Sequence, residues 1–147
     1  MVARLTAEAL KNPDRNIIVA SDRVQHLRDM MKATQALRPD VSMGLYVGAT
    51  TKKDRLTRAE NGESCRVLFT SFRMGEEGLD IPRMNTLVLA SPKKQVEQLV
   101  GRITRGSAKE GGVCPLVVDV VDIRNTMFEG MYKKRARTYR RLGFSFV

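Results

Sequence analysis

The chain has 147 residues, 42% of them apolar, no Trp, and a formal charge of +10 from 26 Lys and Arg against 16 Asp and Glu. That length suits a single domain burying roughly 70% of the surface its unfolded chain exposes, and no run approaches the ~18 apolar residues of a membrane span. Cys65 and Cys114 are too few and too far apart for a zinc site or a disulfide framework, and the single His26 removes histidine-based triads and most histidine-containing metal sites.

The cysteines read as reduced, partly buried thiols beside strands. The basic excess favours a polyanionic partner, nucleic acid ahead of an anionic membrane or a merely soluble surface. Residues 1–7 hold no apolar signal-peptide core, so an intracellular location is expected.

In chain order, residues 6–11 read as a short helix ended by Asn12-Pro13-Asp14. Short, continuous, β-branched runs at 16–20, 43–47, 66–70, 86–90 and 115–121 suit strands buried on both faces, as in a parallel sheet. Between the first two, Val24, Leu27, Met31 and Leu37 recur near the helical period, with Ser21 or Asp22 as N-cap. Thr51 with Asp54 opens a second helix, and residues 75–79 have room for one turn of another. The alternation predicts a βαβ architecture.

Between the fourth and fifth strands, Gln98, Arg102 and Arg105 fall within an arc of about 60° at 100° per residue. Val96, Leu99, Val100 and Ile103 cluster opposite. The apolar face belongs to the core, which leaves the arginines for something anionic. A guanidinium forks onto phosphate oxygens and can neutralise charge that develops in phosphoryl transfer; for an isolated R-x-x-R the competing reading is a solvated basic face. After a polar Gly-Gly loop at 106–112, residues 125–142 form a last helix with Phe128, Met131, Arg135, Tyr139 and Leu142 on one stripe. Lys133, Lys134, Arg137, Arg140 and Arg141 crowd the rest of it, as either a solvated face or a backbone-binding one.

The segment 66–82, RVLFTSFRMGEEGLDIP, supplies context. It resembles motif V of superfamily 2 helicases, residues 98–105 resemble motif VI, and residues 16–23 stand in the place of motif IV, in the family's order and approximate spacing. Over residues 14–122 the chain resembles the second, C-terminal RecA-like domain of such an enzyme. Its ending, VVDVVD followed by Phe128, Tyr139 and Gly143-Phe144, looks like the branch of large DNA viruses and phages near the XPB-like and UvsW-like enzymes. Thr70 and Gly78 stand further apart than in the compact motif V of DEAD-box proteins, and Ile103-Thr104 replaces the Thr-Gly common between the motif VI arginines of that subgroup.

The resemblance implies an α/β fold, a RecA-like parallel β-sheet flanked by helices on both faces. It implies one domain over residues 1–147, with 123–147 a basic helical extension, and a first RecA-like domain that is absent here. Arg102 and Arg105 match the arginines that reach the γ-phosphate, Gln98 joins motif VI to the nucleotide, and Gly78 and Asp80 lie by it. Glycine permits close backbone approach, and a carboxylate accepts from a ribose hydroxyl. Thr70, with Ser71 as second choice, matches the residues that touch the nucleic-acid backbone.

Ser21 and Arg23, at the tip of the first strand, suit a phosphate held with backbone amides, or a plain N-cap. Thr50 after the second strand is a similar case, and Lys93 and Lys94 extend the basic track or serve solubility. No G-x-x-x-x-G-K-[ST] loop and no Asp-Glu-x-His or Asp-Glu-x-Asp occurs. ATP, with Mg²⁺ held by the first domain, is therefore the implied ligand of a shared site, and this chain alone is expected to bind none and to be inactive.

The expected partners are DNA or RNA and the N-terminal RecA-like domain of the same polypeptide, in a monomer without membrane contact, in cytoplasm, nucleus, or a viral factory or virion. The competing functions are a non-catalytic nucleic-acid-binding module on a RecA-like fold and a phosphotransferase acting on another nucleotide.

Overall fold

The computed structural model describes residues 1–48, 65–77, 81–104 and 113–147. Its elements are α1 (Val2–Ala9), β1 (Ile17–Ser21), α2 (Val24–Leu37), β2 (Met43–Tyr46), β3 (Val67–Ser71), α3 (Phe72–Glu77), β4 (Thr86–Leu89), α4 (Glu97–Thr104), β5 (Leu116–Asp119) and α5 (Thr126–Arg141). The strands form one sheet in the order β2-β3-β1-β4-β5, and every pairing is parallel.

Strand periodicity distributes the core. From β1, Ile17 and Val19 join Leu27, Met30, Val67, Phe69 and Val88 beneath α1 and α2, whereas Ile18 and Ala20 join Leu68, Met74, Leu87, Leu89 and Leu99 beneath α3 and α4. β1, β3 and β4 are buried almost throughout, as continuous apolar runs require. β2 and β5 are only partly buried because they are the edges. The chain leaves β1 for one face of the sheet and β4 for the other. The carboxyl ends of those neighbouring strands therefore bound a crevice, the place where open α/β sheets bind ligands.

Four local expectations are corrected. α1 spans Val2–Ala9, ahead of the predicted 6–11, since the buried Leu10 already belongs to the turn that ends it. The buried side of α2 is Leu27, Met30 and Thr34, while Val24 and Leu37 are exposed. Thr34 is tolerated there because its hydroxyl donates to the Met30 carbonyl at 2.7 Å. α3 starts directly after β3, its Met74 amide capped by Ser71 Oγ at 3.3 Å. Cys65 is buried but Cys114 is exposed. The helix expected from Thr51 and the loop at 106–112 lie outside the described residues.

Candidate nucleotide and nucleic-acid site

α4 has the amphipathicity its sequence demands. Val96, Leu99, Val100 and Ile103 are buried, Gln98 is exposed, and Arg102 is partly exposed on the polar side. Arg102 Nη2 donates to the carbonyl oxygen of Glu76, near the end of α3. That contact depends on how closely α3 and α4 approach. A Cβ on Gly75 would stand 2.9 Å from Leu99 Cδ2 and 3.1 Å from Thr70 Cγ2, so any larger residue would crowd those side chains where the two helices meet β3. The Glu76 carboxylate pairs with Lys93 Nζ at 2.6 Å, and that ammonium also lies 4.7 Å from the centre of the Phe72 ring. Lys94, Gln95, Gln98 and Lys134 line a polar cavity of about 540 Å³ beside this pair.

Of the residues singled out in the sequence, Thr50, Gly78, Asp80 and Arg105 lie outside the described residues. Gly78 follows α3 directly in the chain, and Arg105 follows α4.

At the carboxyl ends of β1 and β4 the hydroxyls face protein. Ser21 is fully buried and its Oγ lies 3.3 Å from His26 Nδ1 and 3.1 Å from Ser91 Oγ, while accepting the Arg23 amide at 3.3 Å. Ser91 Oγ in turn accepts the Asp22 amide at 3.0 Å. Both amides at the tip of β1 are thus met by hydroxyls, and the Arg23 side chain is exposed beside them. Thr70 is likewise fully buried, its hydroxyl donating to the Ser71 carbonyl at 3.2 Å. Arg23, Lys94 and the partly exposed Ser71 and Lys93 make the solvent-facing side of this set; Ser21 and Thr70 build its floor.

A buried cluster escaped the sequence reading. Arg135 of α5 is 1% exposed and forks onto Asp119 at the end of β5, with Nε to Oδ2 at 2.8 Å and Nη2 to Oδ1 at 2.9 Å. Its Nη1 donates to the Lys93 carbonyl, and the Tyr139 hydroxyl donates to Asp119 Oδ2 at 2.8 Å. Burial first, and then the Asp119 charge, push the Tyr139 hydroxyl far above its ordinary pKa, so it stays a donor. The signal was present, since Arg135 sits on the otherwise apolar stripe of α5. A charge that periodicity places inside the core needs an opposite charge, and Asp119 at the end of an apolar strand was available.

Residues 1–107 match the family described as helicase conserved C-terminal domain. The chain belongs to that family. A relative, L396 of Acanthamoeba polyphaga mimivirus, which carries the name of an ATP-dependent RNA helicase, is 34% identical over 94 residues, 64% of this chain. The alignment takes in only 17% of that relative's length.

Among solved structures, the C-terminal domain of S. cerevisiae Dbp5, bound to Gle1 and IP6, superposes with a TM-score of 0.68 at 13% identity, covering 97% of this chain and 78% of that one. Domain 2 of the DEAD-box helicase Mss116p, bound to an RNA duplex, gives 0.60 at 15% identity, covering 81% and 47%. At such identities the structures speak for the fold alone, and that fold is the RecA-like parallel sheet. This is a helicase conserved C-terminal domain on a RecA-like parallel sheet, and it has a relative in a large DNA virus.

Proposed function

We propose that this helicase domain is the second half of an ATP-dependent motor on DNA or RNA, with Arg102 and Arg105 as arginine fingers toward ATP carried by a first RecA-like domain of the same polypeptide. The observation that carries the reading is the state of Arg102. Its guanidinium is partly exposed and, among the described residues, its acceptor is the neutral Glu76 carbonyl, two residues before Gly78 in the chain. A phosphate oxygen is a stronger acceptor for a guanidinium than a neutral carbonyl is, so the arginine can exchange one for the other.

Gln98, on the same face of α4, and Gly78 and Asp80 complete the nucleotide side of the cleft. Mg²⁺ would travel with the ATP on the first domain, where it neutralises phosphate charge. On the nucleic-acid side, Arg23, Thr50, Ser71, Lys93 and Lys94 hold backbone phosphates, while the buried Ser21 and Thr70 shape the floor beneath them. Cleft closure brings the arginines to the nucleotide, and opening after hydrolysis releases them, so each cycle shifts the grip on the strand.

The test is ATP hydrolysis by the complete gene product, with and without nucleic acid, for Arg102→Ala and Arg105→Ala. Loss of turnover in both is expected; unchanged, nucleic-acid-stimulated turnover would remove both arginines from the mechanism. The 147-residue chain alone should hydrolyse no ATP and bind nucleic acid weakly, with an affinity that falls steeply as salt rises. Salt-independent binding would contradict the phosphate contacts.

A further inference from the structure

The crevice between the carboxyl ends of β1 and β4 is open, about 860 Å³ in volume, and walled by two kinds of chemistry. On one side are the polar residues of the β1–α2 connection and the first turns of α2, Asp22, Arg23, His26 and Asp29, with Ser91 from the β4–α4 connection. On the other is the start of α5, which presents Met127, Phe128 and Met131. Met127 is 63% exposed, although an exposed methionine at the start of a helix does nothing for the core. This first turn is held in place, because the Asn125 side chain accepts the amides of Met127 and Phe128 at 3.0 and 3.4 Å. α5 lies beyond residues 1–107, the part that matches the helicase family by sequence, so its Met and Phe side chains are a feature of this chain's own sequence.

We propose that this crevice is a base-stacking subsite for single-stranded nucleic acid, in which one nucleotide puts its base against Phe128, between Met127 and Met131, and its phosphate against Arg23. The inference rests on the nucleic-acid reading above and adds base contacts to it. A nucleotide is apolar on its base faces and anionic at its phosphate; the apolar wall meets the first, and on the polar wall Arg23 meets the second while Asp22 and Asp29 confine the phosphate to its side. Aromatic platforms beside a cationic track are the general solution for gripping single strands without reading sequence. The chain's +10 charge draws such a strand to the surface. Asp22, on the polar wall, suits an N–H on a base edge, the ring imino group of thymine and uracil or the amine of the other bases, since a carboxylate accepts from such donors and repels phosphate. The volume lies within the span of about 300–1,000 Å³ common to ligand sites.

The chain contains no Trp, so Phe128→Trp creates a unique fluorophore at the subsite. Titrated at low salt, oligothymidine and oligouridine should both quench it, whereas an abasic backbone of equal length should bind without quenching. In anisotropy measurements on the unsubstituted chain and its variants, Phe128→Ala should weaken the base-bearing strands roughly 5- to 150-fold and leave the abasic strand unchanged. Phe128→Tyr should restore binding. Met127→Ala, at a position too exposed to matter to the fold, should produce a smaller loss with the same dependence on bases.

Base-bearing strands that bind through Arg23 and Lys94 but are indifferent to Phe128 would overturn the subsite and leave the motor reading intact. So would equal quenching by the abasic strand. Failure of every strand to bind at low salt would overturn the nucleic-acid reading itself, and the subsite with it.

Discussion

Two helical arginines, Arg102 on α4 and Arg135 on α5, have the same side chain and opposite fates. Among the described residues Arg102, partly exposed, rests on a neutral carbonyl, whereas Arg135 is 1% exposed and satisfied by a bidentate carboxylate and the Lys93 carbonyl. A guanidinium whose donors are consumed by a buried carboxylate is structure; one left with a replaceable acceptor is available for chemistry. The two are also connected. Arg135 holds the carbonyl of Lys93, the Lys93 ammonium holds the Glu76 carboxylate, and the Glu76 carbonyl holds Arg102. The C-terminal helix thus helps set the place where the proposed finger rests.

Breaking each arginine should expose the difference. Arg102→Ala should lower the ATP turnover of the complete protein by ~10³- to 10⁵-fold and hardly move its melting temperature. Arg135→Met should do the reverse of this in kind, because it strands Asp119, mostly buried, without its cation. Removing one partner of a buried pair costs about 3–5 kcal/mol, a loss readable in urea unfolding. Pairing it with Asp119→Asn should recover part of that cost. An Arg135→Met protein as stable as the parent would show that the pair is not what holds α5 to the sheet.

The same contrast explains what could be read from the sequence. The five strands and the buried face of α4 were legible because apolar periodicity encodes them directly, and Val96, Leu99, Val100 and Ile103 are indeed buried. Sheet order is not encoded in the periodicity of single strands, and so the edge exposure of β2 and β5 was missed. Hydroxyl residues were the least legible. Ser21 and Thr70 have the chemistry to meet a phosphate, but a hydroxyl serves a neighbouring backbone group equally well, and nothing local to the sequence decides between them. Ser21 faces His26 and Ser91, the latter 70 positions away in the chain, a partner that only the sheet brings near. Arg135 illustrates the converse, since its place on the stripe was visible while its partner, Asp119, came from another element.

A smaller effect sharpens the link between α3 and Arg102. Gly75→Ala gains about 1 kcal/mol in helix propensity, but its Cβ would crowd Leu99 and Thr70 at 2.9 and 3.1 Å. Overpacking of this kind costs about 1–3 kcal/mol, so a net destabilisation is expected in denaturant melts. If the helices part to admit the methyl, the Glu76 carbonyl moves away from Arg102, and turnover should fall further than the loss of stability alone predicts. A Gly75→Ala protein that gains stability would mean the Leu99 side chain yields freely and α3 is not pinned there.

The smallest effect belongs to the other end of the comparison, the terminal caps of α5. Its carboxyl end is closed by Gly143, at φ +86°, with the Phe144 amide on the Tyr139 carbonyl at 2.9 Å and the Gly143 amide on the Arg140 carbonyl at 3.1 Å. Its amino end depends on Asn125 alone for side-chain capping. Asn125→Ala should therefore cost about 1 kcal/mol, too little to unseat Arg135, which lies ten residues further along the helix. The loss should be local, fraying the turn that carries Met127 and Phe128 while leaving the Asp119 pair intact. Amide exchange should quicken at 126–129 and stay slow near 135. Strands with bases should bind more weakly to this variant while an abasic strand binds as before, because the phosphate contacts at Arg23 do not depend on the order of that turn.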